Sequence, residues 1–375
     1  MIAAMTDADV FSLSQRLLWL AFALGLGFGT IARRSHFCTM GAVADIVHMG
    51  DWSRMRMWAL AAGVAVLGFS AMVAMGSLRA ADTVYAAPTL LWLSHAVGGL
   101  MFGIGMVLAS GCGNRNLVRL GGGNLKSLVV LGVMAVAAFA TLKGLTAVWR
   151  VATVDSVRLV LPSSQDLPSL TAGLGGTLAQ RAAWLGSTVG SALVLLSLWR
   201  REPGTLVDLL MGGVGIGGLV LALWWVSGHV GHIAEHPQTL EPAFLATNSQ
   251  RMESFSFVAP QAYLLDWLLF YSDQNKLLTQ GIAAVLGVVA GSFVVALLER
   301  SFRWEAFGGV EDLANHIVGA TLMGVGGVTA LGCTIGQGLS GLSTLSLGSF
   351  ITLAALIAGA VLGLRWQAWR IERQA

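Results

Sequence analysis

Nine apolar stretches, each long enough to cross the ~30 Å hydrocarbon core of a bilayer, recur along this chain and make lipid its solvent. They fall near residues 16–32, 55–77, 91–110, 125–143, 182–199, 205–226, 279–298, 312–331 and 346–366. Only 11% of the 375 residues are charged, where a soluble domain carries about a quarter. Backbone polar groups in lipid must be satisfied within the segment, so each stretch is predicted to be a helix. The expected fold is an all-α polytopic membrane protein, with residues 1–375 forming a single transmembrane domain. A shorter piece, 257–271, follows a polar segment and reads as an interfacial or re-entrant helix. The first residues, MIAAMTDADV, are acidic where a signal peptide needs basic charge, so the first stretch is expected to persist as a helix.

Arginine placement orients the chain. Arg54 and Arg56, Arg200 and Arg201, Arg300 and Arg303, and Arg365, Arg370 and Arg373 all fall on one side of nine crossings. The positive-inside rule makes that side cytoplasmic, with the N-terminus periplasmic and the C-terminus cytoplasmic. The opposite connections (78–90, 144–181 and 227–278) are longer and sparser in basic residues, although Lys143, Arg150 and Arg158 lie there. All seven prolines lie outside the stretches and most of the 48 glycines lie inside them. Interruptions at membrane depth are therefore expected at glycine.

Residues 95–112, HAVGGLMFGIGMVLASGC, align without a gap on 316–333, HIVGATLMGVGGVTALGC, with nine of eighteen positions identical. Histidine opens and cysteine closes both copies, which marks an internal duplication. In the orientation above the copies run in opposite directions. Inverted repeats with broken helices place solute sites near the membrane midplane. LGLGFG at 24–29 pairs more weakly with GVGIGG at 213–218. The expected organisation is two repeats, about 16–145 and 205–366, joined by the span 182–199. After each copy the chain turns polar before returning to apolar helix, with Asn116 and Gln337 at the same aligned position. Helix ends exposed in such a break offer unpaired N–H groups to an anion.

Three cysteines are too few for a disulfide framework. A lone buried cysteine is ordinarily a small hydrophobe. Here Cys112 and Cys333 close the two repeat copies, each after a glycine (Gly111 and Gly332). Cys38 lies in the matching place after the first stretch, and the fourth such place, near Val226–Ser227, has none. That sorting points to function. A metal site would want a fourth ligand, and neither His36 nor His232 has ligand spacing. A redox pair is permitted by three thiols. Recognition of a soft, polarizable sulfur atom is the third chemistry open to them.

The segments RRSHFCTMGAVAD (33–45), ASGCGNRNLVRLGGGNLKSL (109–128), SGHVGHIAEHPQTLEPAFLATNSQRMESFSFVAP (227–260) and ALGCTIGQGLSG (330–341) resemble the YeeE/YedE family of membrane transporters. The resemblance spans nearly the whole chain. It implies an hourglass-like fold with loops entering from both faces, in a bacterial inner membrane. It implies uptake of thiosulfate, or of a related sulfur or selenium species such as sulfide or persulfide. Cys38, Cys112 and Cys333 fall on the family's cysteine positions, where the solute meets the thiols in succession. It also implies a small cytoplasmic sulfur-carrier protein of the sulfurtransferase type as partner.

Thiosulfate carries two negative charges, so its site needs donors or positive potential besides a soft contact. Arg34 and Arg115 are candidates, Arg115 foremost because it lies three residues past Cys112 in the polar turn. Arg33 and Arg119 read more simply as anchors on the cytoplasmic side. His95 and His316 read as interfacial or capping residues, and Glu235, Glu241, Arg251 and Glu253 as a solvated loop, an entry vestibule or a subunit contact. A net charge of +3 without any basic run excludes a nucleic-acid partner. GNLKSL lacks the order of a P-loop, so ATP-driven transport and a cofactor are not expected. The sequence reads as a transporter and not as an enzyme. A membrane thiol-redox protein without net transport is the alternative from another class.

Overall fold

The computed structural model describes residues 6–199, 206–273 and 276–373. The first five residues, and Arg200 and Arg201 with their orienting charges, lie outside that set. The helices in chain order are α1 Asp7–Arg34, α2 Thr39–Met49, α3 Ser53–Ala74, α4 Trp92–Leu108, α5 Gly113–Gly121, α6 Leu125–Lys143, α7 Leu145–Ala152, α8 Leu167–Leu170, α9 Leu178–Leu198, α10 Leu206–Leu210, α11 Ile216–Trp225, α12 Ala259–Leu269, α13 Gln280–Leu298, α14 Val310–Thr329 and α15 Leu347–Glu372. Strand structure among the described residues amounts to two-residue pairs.

Eight helical stretches are long and apolar enough to cross a membrane, and eight of the nine expected spans coincide with them. The ninth, α14, is a 20-residue helix. Glu311, Asp312, Asn315 and His316 in its first two turns dilute its apolarity, so it falls outside those eight. Boundaries moved where local chemistry extends a helix. α1 begins nine residues before the expected start because Thr6 and Asp9 form a capping box. The piece 257–271 is the eleven-residue helix α12.

Small residues set the helix spacing. On α4, a Cβ at Gly98 would lie 2.7 Å from Gly326 O and 2.5 Å from Ala330 N of α14 and its cap. Reciprocally, a Cβ at Gly319 would lie 2.6 Å from Gly105 O and 2.6 Å from Ala109 N. The two helices therefore run antiparallel with backbones in direct contact, as small-residue interfaces allow in lipid. Gly98→Ala is expected to cost about 1–3 kcal/mol by overpacking. A lower melting temperature of the detergent-solubilised protein would register it; an unchanged melt would mean that the two helices part without cost.

Candidate functional site: three cysteines at matched helix breaks

α1, α4 and α14 end in the same way. A non-glycine residue takes the left-handed conformation: His36 (φ 52°), Ser110 (φ 55°) and Leu331 (φ 58°). The next residue's N–H reaches back five residues, from Phe37 to Ala32 O (3.1 Å), Gly111 to Met106 O (2.8 Å) and Gly332 to Gly327 O (2.8 Å). The left-handed residue bonds back three residues in each case, which completes a Schellman motif. The cysteine follows at once. The sequence expectation of breaks at glycine is corrected here: glycine is not the left-handed residue. Gly111 and Gly332 instead leave room for the next turn. A Cβ on Gly111 would lie 2.9 Å from Arg115 Cγ, and one on Gly332 3.0 Å from Gln337 Cγ.

Each cysteine then sits where a new helical turn begins. Cys38 is the N-cap of α2 and its Sγ accepts Gly41 N–H at 3.3 Å. Cys112 is the N-cap of α5; the Arg115 amide faces its sulfur without closing a hydrogen bond of the same quality. Cys333 Sγ accepts Gly336 N–H at 3.4 Å, ahead of a π-helical turn at Gly336–Gly341, and Phe257 N–H from the side at 3.4 Å. For Cys38 and Cys333 the partner is the amide three residues on. The fourth equivalent place, without cysteine, has no left-handed residue; a π-helical turn at Val226–Val230 continues α11 there.

Tertiary packing brings the breaks together. All three thiols are buried and unpaired by disulfides. The Cys38 side chain lies beside Cys112, and Cys112 beside the Thr334 hydroxyl, next in chain to Cys333. A Cβ at Gly113 would lie 3.6 Å from Phe257 Cβ, and Phe257 also reaches Cys333, so one residue bridges the second and third breaks. The hydroxyls of Thr39 and Thr334, each following a cysteine, are buried with no hydrogen-bond partner. A buried hydroxyl without a partner costs about 1–3 kcal/mol, so the two form a reserve of donors at the thiols.

Two cavities open beside Cys38 and Cys112 at one end of the bundle. One, of about 350 Å³, is lined by Ser35, His36, Arg54, Arg56, Arg115 and Asp208. The other, of about 460 Å³, carries Arg33, Arg115, Arg119, Lys126 and Arg303, with Glu305, Asp312 and His316. Arg115 belongs to both, and its charge is felt at Cys38 and His36. A third cavity of about 230 Å³ lies next to Cys333, lined by Tyr85, Glu253, Ser254, Ser256, Tyr263 and Gly332 among others. It holds Gly281 at the start of α13 and Val328 at the end of α14, whereas the basic cavity holds Ser301 and Asp312 at their other ends. The two mouths are thus about 28 Å apart along a 19-residue helix.

The expected site residues divide accordingly. Cys38, Cys112, Cys333, Gly111, Gly332 and Arg115 come together at the breaks. Asn116 and Gln337 are there too, but their amides serve the breaks themselves. Asn116 Nδ2 donates to Gly111 O (2.9 Å) and Cys112 O (3.1 Å), and Gln337 Nε2 to Ala330 O (2.7 Å). Arg34 points elsewhere, into a half-exposed ion pair with Glu299 at 3.4 Å. Arg33 and Arg119, read from sequence as anchors, line the basic cavity, Arg119 donating to Ser110 O at 2.8 Å. Thr39 and Thr334 were missed, although each directly follows a cysteine.

The "Sulphur transport" family model matches residues 34–362, from the first break to α15. The chain is 26% identical over 345 residues to the thiosulfate transporter TsuA of Escherichia coli, covering 89% of this chain and 90% of that one. It is 25% identical over 346 residues to the thiosulfate transporter TsuA of Spirochaeta thermophila, covering 92% and 97%. A probable transporter YedE of Salmonella typhimurium is 30% identical over 103 residues, 27% of this chain and 23% of that one.

Proposed function

Since this chain belongs to the sulphur transport family of multi-pass membrane transporters, we propose that it takes up thiosulfate along a path on which Cys333, Cys112 and Cys38 meet the solute in turn. The observation that carries this reading is the convergence of three thiols at three breaks of one geometry, with the Thr39 and Thr334 hydroxyls unpaired beside them. Thiosulfate is sulfate with one oxygen replaced by sulfur. Polarizable thiols suit its soft end, while hydroxyls and helix-start amides suit its oxygens. The thiols stay reduced and make transient S–H···S contacts in place of water. The names of the two long relatives support the substrate.

The inverted-repeat organisation is part of this proposal. Gly98 packs on Gly326 and Gly319 on Gly105, and these pairs exchange under the repeat alignment, which supports it. So is the orientation, in which the basic mouth faces the bacterial cytoplasm and the Glu253 mouth the periplasm. The bases gathered at Arg115 support a docking place there for a small sulfur-carrier protein.

Uptake of radiolabelled thiosulfate into proteoliposomes tests the reading. Excess unlabelled thiosulfate is expected to abolish the signal and sulfate to leave it intact; equal competition by sulfate would remove the soft-sulfur argument. Sulfide, persulfide and selenium analogues in the same assay separate the related solutes. The contact between Cys38 and Cys112 also permits a redox pair. Alkylation of the thiols during turnover distinguishes that case, since a disulfide would block it.

A further inference from the structure

The two mouths differ in charge in a way that uptake of a dianion does not explain. The cavity at Arg115 gathers five cations. The cavity at Cys333, where on the proposed reading the solute enters, presents the half-buried carboxyl of Glu253. Glu253 is held by three hydrogen bonds. Its N–H donates to Ser227 Oγ at 3.0 Å, its carbonyl accepts Gln280 Nε2 at 3.5 Å, and its Oε1 accepts Ser249 N–H at 2.9 Å. Among the described residues it makes no ion pair. Arg150 lines the same cavity but is bound to Asp155 at 3.1 Å. Arg251 turns instead toward Thr83 O at 3.5 Å. The other titratable groups facing it are phenols and a thiol: Tyr85 lies between Glu253 and Cys333, with Tyr263 across the cavity.

Resting on the thiosulfate reading above, we propose that Glu253 is the selectivity gate of this mouth, admitting the anion when its carboxyl is protonated and repelling it when ionised. As an acid, Glu253 donates a hydrogen bond to an oxygen of the solute, in the cavity shared with the hydroxyls of Tyr85 and Ser256, which adjoin Gly336 beside Cys333. As a carboxylate, it places in the dianion's way a negative charge that no cation pairs with among the described residues. Burial raises the Glu253 carboxyl above the ordinary glutamate range, against hydrogen bonds from Ser249 and Asn248 that lower it. The protonated form therefore persists to higher pH than for an exposed glutamate. Uptake is greatest on the acid side and falls as pH rises through the raised value.

The test is initial thiosulfate uptake by proteoliposomes with equal pH inside and out, stepped from acid to alkaline. Wild-type uptake is expected to decline with a limiting slope of about tenfold per pH unit. Glu253→Gln, which keeps the donor and loses the charge, is expected to abolish that slope and hold uptake at the acid-side level. The opposite mouth carries His36 and His316; a slope that survives in the Gln variant places the effect outside Glu253 and overturns the proposal. Should that variant fail to fold, Glu253→Asp decides: a displaced midpoint supports the gate, and an unchanged midpoint overturns it. A wild type with pH-independent uptake overturns the gate alone, whereas a wild type with no uptake at any pH overturns the thiosulfate reading and the gate with it.

Discussion

Cys112→Ala is expected to lower thiosulfate uptake about a hundredfold, with about tenfold losses for Cys38→Ala and Cys333→Ala. Cys112 is central because it alone touches both neighbours, the Cys38 thiol and the Thr334 hydroxyl. Losing a partner at a buried step costs about 1–3 kcal/mol, and each ~1.4 kcal/mol is tenfold in rate. The residue is completely buried, so alanine also leaves a small void worth about 1 kcal/mol of stability. Melting of the purified variant separates that cost from the loss of transport. Serine is the sharper substitution, since it keeps a hydroxyl donor of similar size and removes the polarizable sulfur. Cys112→Ser is expected to transport as poorly as alanine; recovery by serine would mean that the site wants a donor and not a thiol.

Arg115→Gln is the second large effect, an expected loss of about tenfold together with a weaker dependence on ionic strength. The guanidinium lines both cavities beside Cys112, and its field reaches Cys38. Opposite unit charges ~5 Å apart interact by about 3 kcal/mol at an effective dielectric constant near 20. Arg115 is only half-buried, and screening cuts that roughly in half, which leaves about tenfold. Arg34→Gln serves as the control. Its charge is committed to Glu299 on the surface, so uptake is expected to stay within the error of wild type. An equal loss in both variants, measured in the same vesicles, would show that bulk surface charge and not this position attracts the anion.

The asymmetry between these arginines shows where reading the chain falls short. Arg33, Arg34, Arg115 and Arg119 all lie within seven residues of a cysteine in sequence. What separates them is which way each helix turns after its break. α1 ends at Arg34, and the Schellman turn at His36 leaves Arg33 facing Ser292 and Ser301 while Arg34 meets Glu299. α5 restarts at Gly113, so Arg115 and Arg119 come round to one cavity, one turn apart. The same reasoning covers Asn116 and Gln337. Their alignment was visible, but their job of holding carbonyls at the breaks was not.

The sequence by itself determined that the chain is a helical membrane protein, where eight membrane-capable helices lie, that two segments repeat and that three cysteines follow helix ends. Hydropathy and repetition are local properties, and lipid leaves a twenty-residue apolar stretch no structure but a helix. Nearest-neighbour chemistry at the breaks was half legible: the Gly-Cys pairs marked two of them, while Ser110 and Leu331 in the left-handed turn did not, since neither is a residue that favours it. Only the tertiary structure decided that the thiols adjoin through Phe257 and Thr334, that one mouth is basic, and that Glu253 stands at the other without an ion pair among the described residues. Those facts depend on antiparallel packing of α4 on α14, set by glycine contacts 221 residues apart in pattern, which position buried groups that no local signal relates.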